Sequence, residues 1–429
     1  MVRVSCYPTN LNDTLKLPEK HDAYSALRFP EFRYFLANSF LYRSALLIQE
    51  VIIGYELYRL THDPLALGMI GLAEVLPFIA VSLFGGHVAD RYDRRIILRI
   101  SLSVIIAGSA ILYFLFQPEW IAALNTNQHL WSVYSVFFLI GLAKGFYSPA
   151  SSSLKPFLVP REFYSNSSTW SSTFSQAGAV LGPGIAGFLY VYLGLTETLL
   201  GIMLTMVFCL VLITLIKTNP INVRKGGISI WESLRDGLKF VFSTKIILYA
   251  LSLDMFSVLF GGVIAILPVF AEDILHVGPE GLGLLRASPS VGALITMFAM
   301  AHFPPTHQAW RNMLIAVAGF GVFTIIFSLS TNFWLSCVAL FATGVCDSIS
   351  VVIRQTIMQI FPPDEMRGRV ASVSGIFVSS SNELGAFESG LAARIAGPIP
   401  TVLAGGAITL LVVTYVYLKS KDLFAMRLT

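Results

Sequence analysis

Gly86-His87-Val88-Ala89-Asp90-Arg91-Tyr92-Asp93-Arg94-Arg95 stands between two long apolar runs. A connection this short obliges the chain to leave an apolar medium and re-enter it within about one helical turn. Its small residues let two helices approach closely, and Asp90 with Arg91, Arg94 and Arg95 can form a charge-paired latch at a membrane face. A basic cluster beside a span also marks a cytoplasmic loop. The order Gly-x-x-Ala-Asp-Arg-x-x-Arg-Arg is more specific than the charge.

Working outward, the 429 residues are 55% hydrophobic and 13% charged, with a mean hydropathy of +0.71. Soluble domains carry about a quarter charged residues, so the chain reads as a polytopic, all-α membrane protein. The 32 Phe residues suit a lipid-facing surface. Residues 1–27 are polar and lack an apolar core, so no cleaved signal is expected. Cys6, Cys209, Cys337 and Cys346 are scattered and suggest neither a disulfide framework nor a metal site. No cofactor is expected. The net charge of +4 follows the topology and points to no nucleic-acid partner.

A span needs about 20 mostly apolar residues. Twelve such stretches are readable: 33–57, 66–88, 96–116, 131–153, 163–193, 197–217, 246–270, 281–303, 312–330, 333–358, 368–396 and 400–418. With both termini cytoplasmic, 23 of the 29 Lys and Arg residues fall on the cytoplasmic side. Residues 117–130, 194–200 and 271–280 on the opposite side hold none. The expected organisation is a cytoplasmic segment 1–32, a six-helix half 33–217, a linker 218–245, a second half 246–418 and a tail 419–429. In the linker, Ile230, Trp231, Leu234, Leu238 and Val241 recur at helical spacing among Glu232, Arg235, Asp236 and Lys239. That pattern predicts an amphipathic helix on the inner membrane face. The chain is expected to be a monomer in a bacterial inner membrane.

A shift of 203 residues lays Pro160, Glu162, Phe174, Gly182 and Gly187 on Pro363, Glu365, Phe377, Gly385 and Gly390. A shift of 215 lays Pro64, Leu67 and Gly68 on Pro279, Leu282 and Gly283. Two six-span repeats of parallel sense predict halves related by an axis along the membrane normal, with a site between them and access alternating by rocking.

Eleven charged residues lie within the spans: Arg43, Glu50, Glu74, Lys144, Asp254, Arg286, Asp347, Arg354, Glu383, Glu388 and Arg394. Each would cost roughly 2.5–3.5 kcal/mol facing lipid at mid-bilayer. The sum would exceed the roughly 5–15 kcal/mol by which proteins are stable. They must face each other or water. Spans 3, 6, 9 and 12 carry none in their interiors, which places those spans outermost and the other eight around a polar cavity. Glu50, Asp254, Asp347, Glu383 and Glu388 are the candidate proton carriers, because burial and a nearby cation move a carboxyl pKa in opposite senses. Static pairing between helices is the alternative for each. Arg43, Lys144 and Arg354 are candidate cavity charges. Gln49, Gln176, Gln355 and Asn382 are substrate hydrogen-bonders or helix glue. Arg286, Arg394 and Glu74 sit toward the outer ends and rank lower. Tyr42, Tyr55, Phe146, Trp170 and Phe256 either line the cavity or pack.

These residues resemble the major facilitator superfamily over essentially the whole chain. The stretch from Gly86 to Arg95 is similar to its signature loop between spans 2 and 3, with Asp90, Arg91 and Arg94 matching and Val88, Asp93 and Arg95 departing. The resemblance implies that this loop governs closure on the cytoplasmic side. Gly178, Gly182, Pro183 and Gly187 in span 5 resemble the Gly-Pro motif of exporters, where ordinary small-residue packing is the other reading. The segments Thr61–Gly68, Gly278–Ala287 and Asn382–Gly390 look like the bacterial branch holding enterobactin-type siderophore exporters and macrolide-efflux-like proteins. That implies export of an amphipathic small molecule against protons, or sodium. Two departures stand out. The superfamily's span-4 arginine would fall on Gly141, and the second-half copy of the loop places Pro305 at Asp90 and Ala309 at Arg94.

An importer of the same fold is the nearest rival. An integral-membrane enzyme or a non-transporting receptor is the alternative of another class. The seven histidines form no metal cluster, and the dipeptide Gly-Lys of an ATPase phosphate loop is absent.

Overall fold

The computed structural model of the chain describes residues 24–217, 230–302 and 308–424. Twelve long helices dominate it: α1 (Pro30–Thr61), α2 (Pro64–Arg91), α3 (Arg94–Leu115), α4 (Thr126–Leu154), α5 (Tyr164–Leu193), α6 (Leu195–Leu215), α7 (Lys245–Gly261), α8 (Gly278–His302), α9 (Ala309–Leu329), α10 (Phe333–Ile360), α11 (Asp364–Ala396) and α12 (Pro398–Lys419). Each matches one predicted span. Ten spans among the described residues are long and apolar enough to cross a membrane. Outside that set stand α1, with Arg43, Glu50 and Glu56, and α11, with Asn382, Glu383, Glu388 and Arg394.

Local sequence sets the helix boundaries. Asp63, Asp93 and Asn332 cap α2, α3 and α10 by accepting from backbone N–H groups of the first turn. A capping box between Asn125 and Gln128 starts α4 at Thr126, five residues earlier than the hydropathy pattern predicts. Gly194 and Gly397, at φ +84° and +91°, end α5 and α11 and turn the chain at once into α6 and α12.

The seventh span departs from expectation. It is not one continuous helix over 246–270. The α-helix stops before Gly262, whose ψ of 82° breaks the ladder. A 3₁₀ turn (Val263–Ile266), a short α turn (Leu267–Val269) and a π-helical turn (Phe270–Ile274) complete the crossing. The linker helix, Ile230–Ser243, forms as its periodicity predicts and docks on α11, with Asp236 2.6 Å from Arg369. The side chains of Trp231, Glu232 and Leu234 are outside the described set, as are residues 218–229 and Pro305.

Helices α1–α6 and α7–α12 form two halves. The halves meet along two crossings, α5 on α8 and α11 on α2. The hydrophobic core is continuous between the halves at one end only. There Leu67, Ile70 and Ala186 of the first half join Ile266, Phe270, Leu282 and Ala393 of the second. At the opposite end, which carries the described chain termini, each half keeps its own core, around Leu98 and Leu102 in the first and Met313 and Ile353 in the second. Helices α3, α6, α9 and α12 present large exposed apolar side chains, among them Ile100, Phe208, Ile315 and Leu411. They form the periphery, as their lack of interior charge predicts.

Candidate functional site

A charge cluster lies where the halves meet. Lys144 of α4 donates to Glu74 of α2. Glu383 of α11, from the other half, packs on α2. A Cβ on Gly71 would lie 3.3 Å from its carboxylate and 3.2 Å from its backbone carbonyl oxygen. Glu383 shares the electrostatic field of Glu74, Lys144, Glu50 and Arg43. On the same side, Arg286 of α8 donates to Glu50 of α1 at 3.2 Å, again across the halves. Two ion pairs, Glu74–Lys144 within the first half and Glu50–Arg286 across the halves, thus stand in the region of Glu383 and Arg43.

Glu74 and Arg286 therefore sit deeper than their ranking by sequence implies. Helix α2 begins at Pro64 and α8 at Gly278. At 1.5 Å per residue, these side chains lie about 15 and about 12 Å along their helices, near mid-bilayer. The absence of an arginine at position 141 has a steric cause. A Cβ on Gly141 would fall 2.1 Å from the Glu74 carbonyl oxygen, so α4 meets α2 backbone to backbone. Lys144, one turn further on, brings the cation to the Glu74 carboxylate.

The second half holds a separate buried pair, Asp254 of α7 with Arg354 of α10, each 6% exposed. Asp347, two turns before Arg354 on α10, has no ion-pair partner among the described residues, and neither does Glu388 of α11. One carboxylate oxygen of Glu388 is buried without a hydrogen bond. Asn382 is exposed and donates to the Val378 carbonyl of its own helix at 2.8 Å. Gln176 is exposed on α5. Gln49 is buried and accepts from Ser109 of α3 at 2.7 Å, an interhelical bond within the first half. Tyr42 stacks on Tyr147 with ring centroids 4.1 Å apart.

The joined end is fastened by phenols on carboxylates. Tyr55 donates to Glu272 at 2.7 Å, and Tyr58 donates to Asp273. Both acceptors ride on the π-helical turn of span 7. A further pair, Arg394 with Asp63 at 3.2 Å, also crosses between the halves. Beside them Glu56, 2% exposed, accepts from Tyr190 at 2.5 Å and from Arg59 at 2.6 Å. The Glu50–Arg286, Tyr55–Glu272, Tyr58–Asp273 and Asp63–Arg394 contacts between the halves lie at this end or at mid-depth. Sequence reasoning missed Glu56, Glu272 and Asp273. The i,i+3 spacing of Glu56 and Arg59 was the one readable signal.

The Gly-Pro stripe of α5 faces two partners. Gly178 and Gly182 lie against α1, where added Cβ atoms would come 2.7 Å from the Phe40 carbonyl oxygen and 2.9 Å from that of Ser44. Gly187 lies against α8 of the other half, 2.1 Å from the Pro279 carbonyl oxygen by the same measure. Pro183 is buried inside α5. In the opening loop, the side chains of Gly86 and Asp90 lie outside the described residues. Arg91 is exposed. Arg94 donates to Ser153 at 3.0 Å and lies over the Phe157 ring at 4.6 Å. Arg95 donates to the Ile216 carbonyl at 2.6 Å and pairs with Asp93 at 3.2 Å. Asp93, a departure from the signature, thus serves as both helix cap and ion-pair partner.

Comparisons with known proteins agree with this architecture. The sequence profile of the family described as transmembrane secretion effector matches residues 21–425. The chain is 22% identical over 360 residues to macrolide efflux protein A of Streptococcus pyogenes, covering 80% of this chain and 84% of that one. It is 23% identical over 388 residues to the enterobactin exporter EntS of Shigella boydii serotype 18, covering 88% of each. The solved structure of the nucleoside transporter NupG aligns with a TM-score of 0.72 at 11% identity, over 91% of this chain and 99% of that one. That likeness speaks for the fold alone.

Proposed function

The chain belongs to the transmembrane secretion effector family of major facilitator transporters, and from that membership we propose that it is a secondary exporter of an amphipathic small molecule, driven by protons in exchange. Access alternates by rocking of the two halves in a bacterial inner membrane, with both termini cytoplasmic. The observation that carries this reading is Glu383 of one half standing against the Glu74–Lys144 pair of the other. An acid shared between halves changes surroundings when they rock, and its affinity for a proton changes with them. Coupling of this kind needs no further component.

The efflux names of two relatives support export, and the continuous core at one end supports a form open toward the cytoplasm. In this reading the loop from Gly86 to Arg95 latches the cytoplasmic end when that end closes. Asp90→Asn then slows transport and leaves substrate affinity in the outward-open state largely intact.

The test uses inverted vesicles with an imposed proton gradient. Candidate substrates accumulate with the wild type and not with Glu383→Gln. Accumulation that survives collapse of both proton and sodium gradients removes the antiport reading. Accumulation in right-side-out vesicles with an inward proton gradient favours the importer.

A further inference from the structure

Four cations within the spans are each committed to one carboxylate: Lys144 to Glu74, Arg286 to Glu50, Arg354 to Asp254 and Arg394 to Asp63. Arg43 has no carboxylate partner among the described residues and is exposed. It nevertheless lies inside the bundle, within the field of both Lys144 and Glu383. An exposed guanidinium at this depth faces the space between the halves.

The wall around it is aromatic. Gly178 lets α5 lie flush on α1, so that a Cβ there would sit 3.2 Å from the Arg43 Cβ. One turn along, Phe40 meets Phe174 edge to face at 6.5 Å, and Phe174 meets Trp170 at 6.1 Å. Tyr24 continues the row at 5.8 Å from Trp170. The exposed Tyr24 and the half-buried Trp170, Phe174 and Phe40 run from the terminus-bearing end of the first half up to Arg43. The acids Asp347 and Glu383 stand on the opposite half, on α10 and α11.

We propose that Arg43, with Phe40, Phe174 and Trp170, forms the substrate subsite, and that this subsite takes an amphipathic organic anion with its acidic group on Arg43 and its flat apolar body along the rings. A planar guanidinium fork matches a carboxylate in two parallel hydrogen bonds. Ring faces supply sequence-independent apolar contact for the remainder of the molecule. A cationic substrate on the same wall would meet Arg43 at like charge. The inference rests on the exporter reading, which makes this space the substrate's route.

Two probes with one ring system separate the charge term from the apolar term: 2-naphthoate and a naphthyl trimethylammonium. Binding to the purified full-length protein is followed by quenching of tryptophan fluorescence, with Trp170→Phe marking the local signal. Arg43→Gln weakens naphthoate binding by about tenfold or more and leaves the ammonium probe unchanged or tighter. Arg43→Lys restores part of the loss, because charge is kept and the fork is not. Phe174→Leu weakens both probes alike. Equal loss of both probes in Arg43→Gln, or a wild type that binds only the ammonium or neither probe, overturns the proposal. Vesicle transport separates the two readings. A wild type that binds naphthoate through Arg43 but never moves it against its gradient retains the subsite and defeats the exporter. A wild type that exports the ammonium alone does the reverse.

Discussion

Gly390 of α11 and Gly68 of α2 are in backbone contact across the two halves. A Cβ on Gly390 would lie 2.9 Å from the Gly68 Cα and 2.8 Å from the Pro64 carbonyl oxygen. Gly187 and Gly283 hold the same relation at the other crossing, where a Cβ on Gly187 would lie 3.1 Å from the Gly283 Cα. Neither crossing leaves room for a side chain while the joined end is closed.

Gly390→Ala is therefore expected to destabilise the closed end by about 1–3 kcal/mol, the usual cost of overpacking. Opening of that end rises about fivefold to 150-fold. A cysteine-free protein carrying Ile70→Cys, at a side chain now buried in the joined core, reports this through labelling by an impermeant maleimide from the outer side. Unchanged labelling would show that the glycine contact does not limit opening.

The phenol–carboxylate bonds make a second, polar fastening. Tyr55→Phe with Tyr58→Phe removes the donors and leaves Glu272 and Asp273 in place. Hydrogen bonds to charged groups contribute about 1.5–3 kcal/mol each. The double variant should raise outer labelling of the same cysteine more than either single change, without altering the folded fraction in size-exclusion profiles.

Glu383→Gln keeps the shape of the side chain and removes its ionisation. Accumulation driven by a proton gradient should fall by about tenfold or more. Exchange of substrate across the membrane at zero gradient should persist. Loss of both activities together would assign Glu383 to substrate binding or to folding instead of coupling.

Asp254 and Arg354 form a buried pair within one half, so breaking it tests stability. Arg354→Leu alone leaves an uncompensated buried carboxylate and costs about 3–5 kcal/mol. Asp254→Leu together with Arg354→Leu should recover most of that loss in detergent thermal melts. Failure of the double variant to recover would show that the pair is needed for the fold itself.

Much of the architecture is legible in the chain because it depends on local pattern. The apolar runs mark the helices, most weakly the charge-bearing α1 and α11, and the alternation of Lys and Arg predicts their orientation. The two repeats were readable as well, yet as unrelated offsets of 203 and 215. The structure shows them to be the two sides of one contact. Gly187 and Gly390, paired by the first offset, rest on the Pro279–Gly283 and Pro64–Gly68 segments paired by the second. No local pattern can announce that two segments from different halves will touch.

The site was legible in part, for a related reason. The cost of a charge in lipid requires the eleven intramembrane charges to face each other or water, and the sequence names them. It does not pair them. Arg286 reaches Glu50 and Glu383 reaches the Glu74–Lys144 pair only because α8 and α11 cross into the other half. The break at Gly262, which ends the α-helix and leads to the π turn bearing Glu272 and Asp273, likewise lies inside an unbroken apolar run. By itself the sequence determined the membrane class, the twelve long helices and which residues cannot face lipid, since each follows from transfer of a group between water and hydrocarbon. Which charge meets which, and at which end the halves close, was decided by tertiary packing, because those interactions join residues on different helices, 70 positions apart for Lys144 and Glu74 and 236 for Arg286 and Glu50, and exist only where helix crossings bring them within a few ångströms.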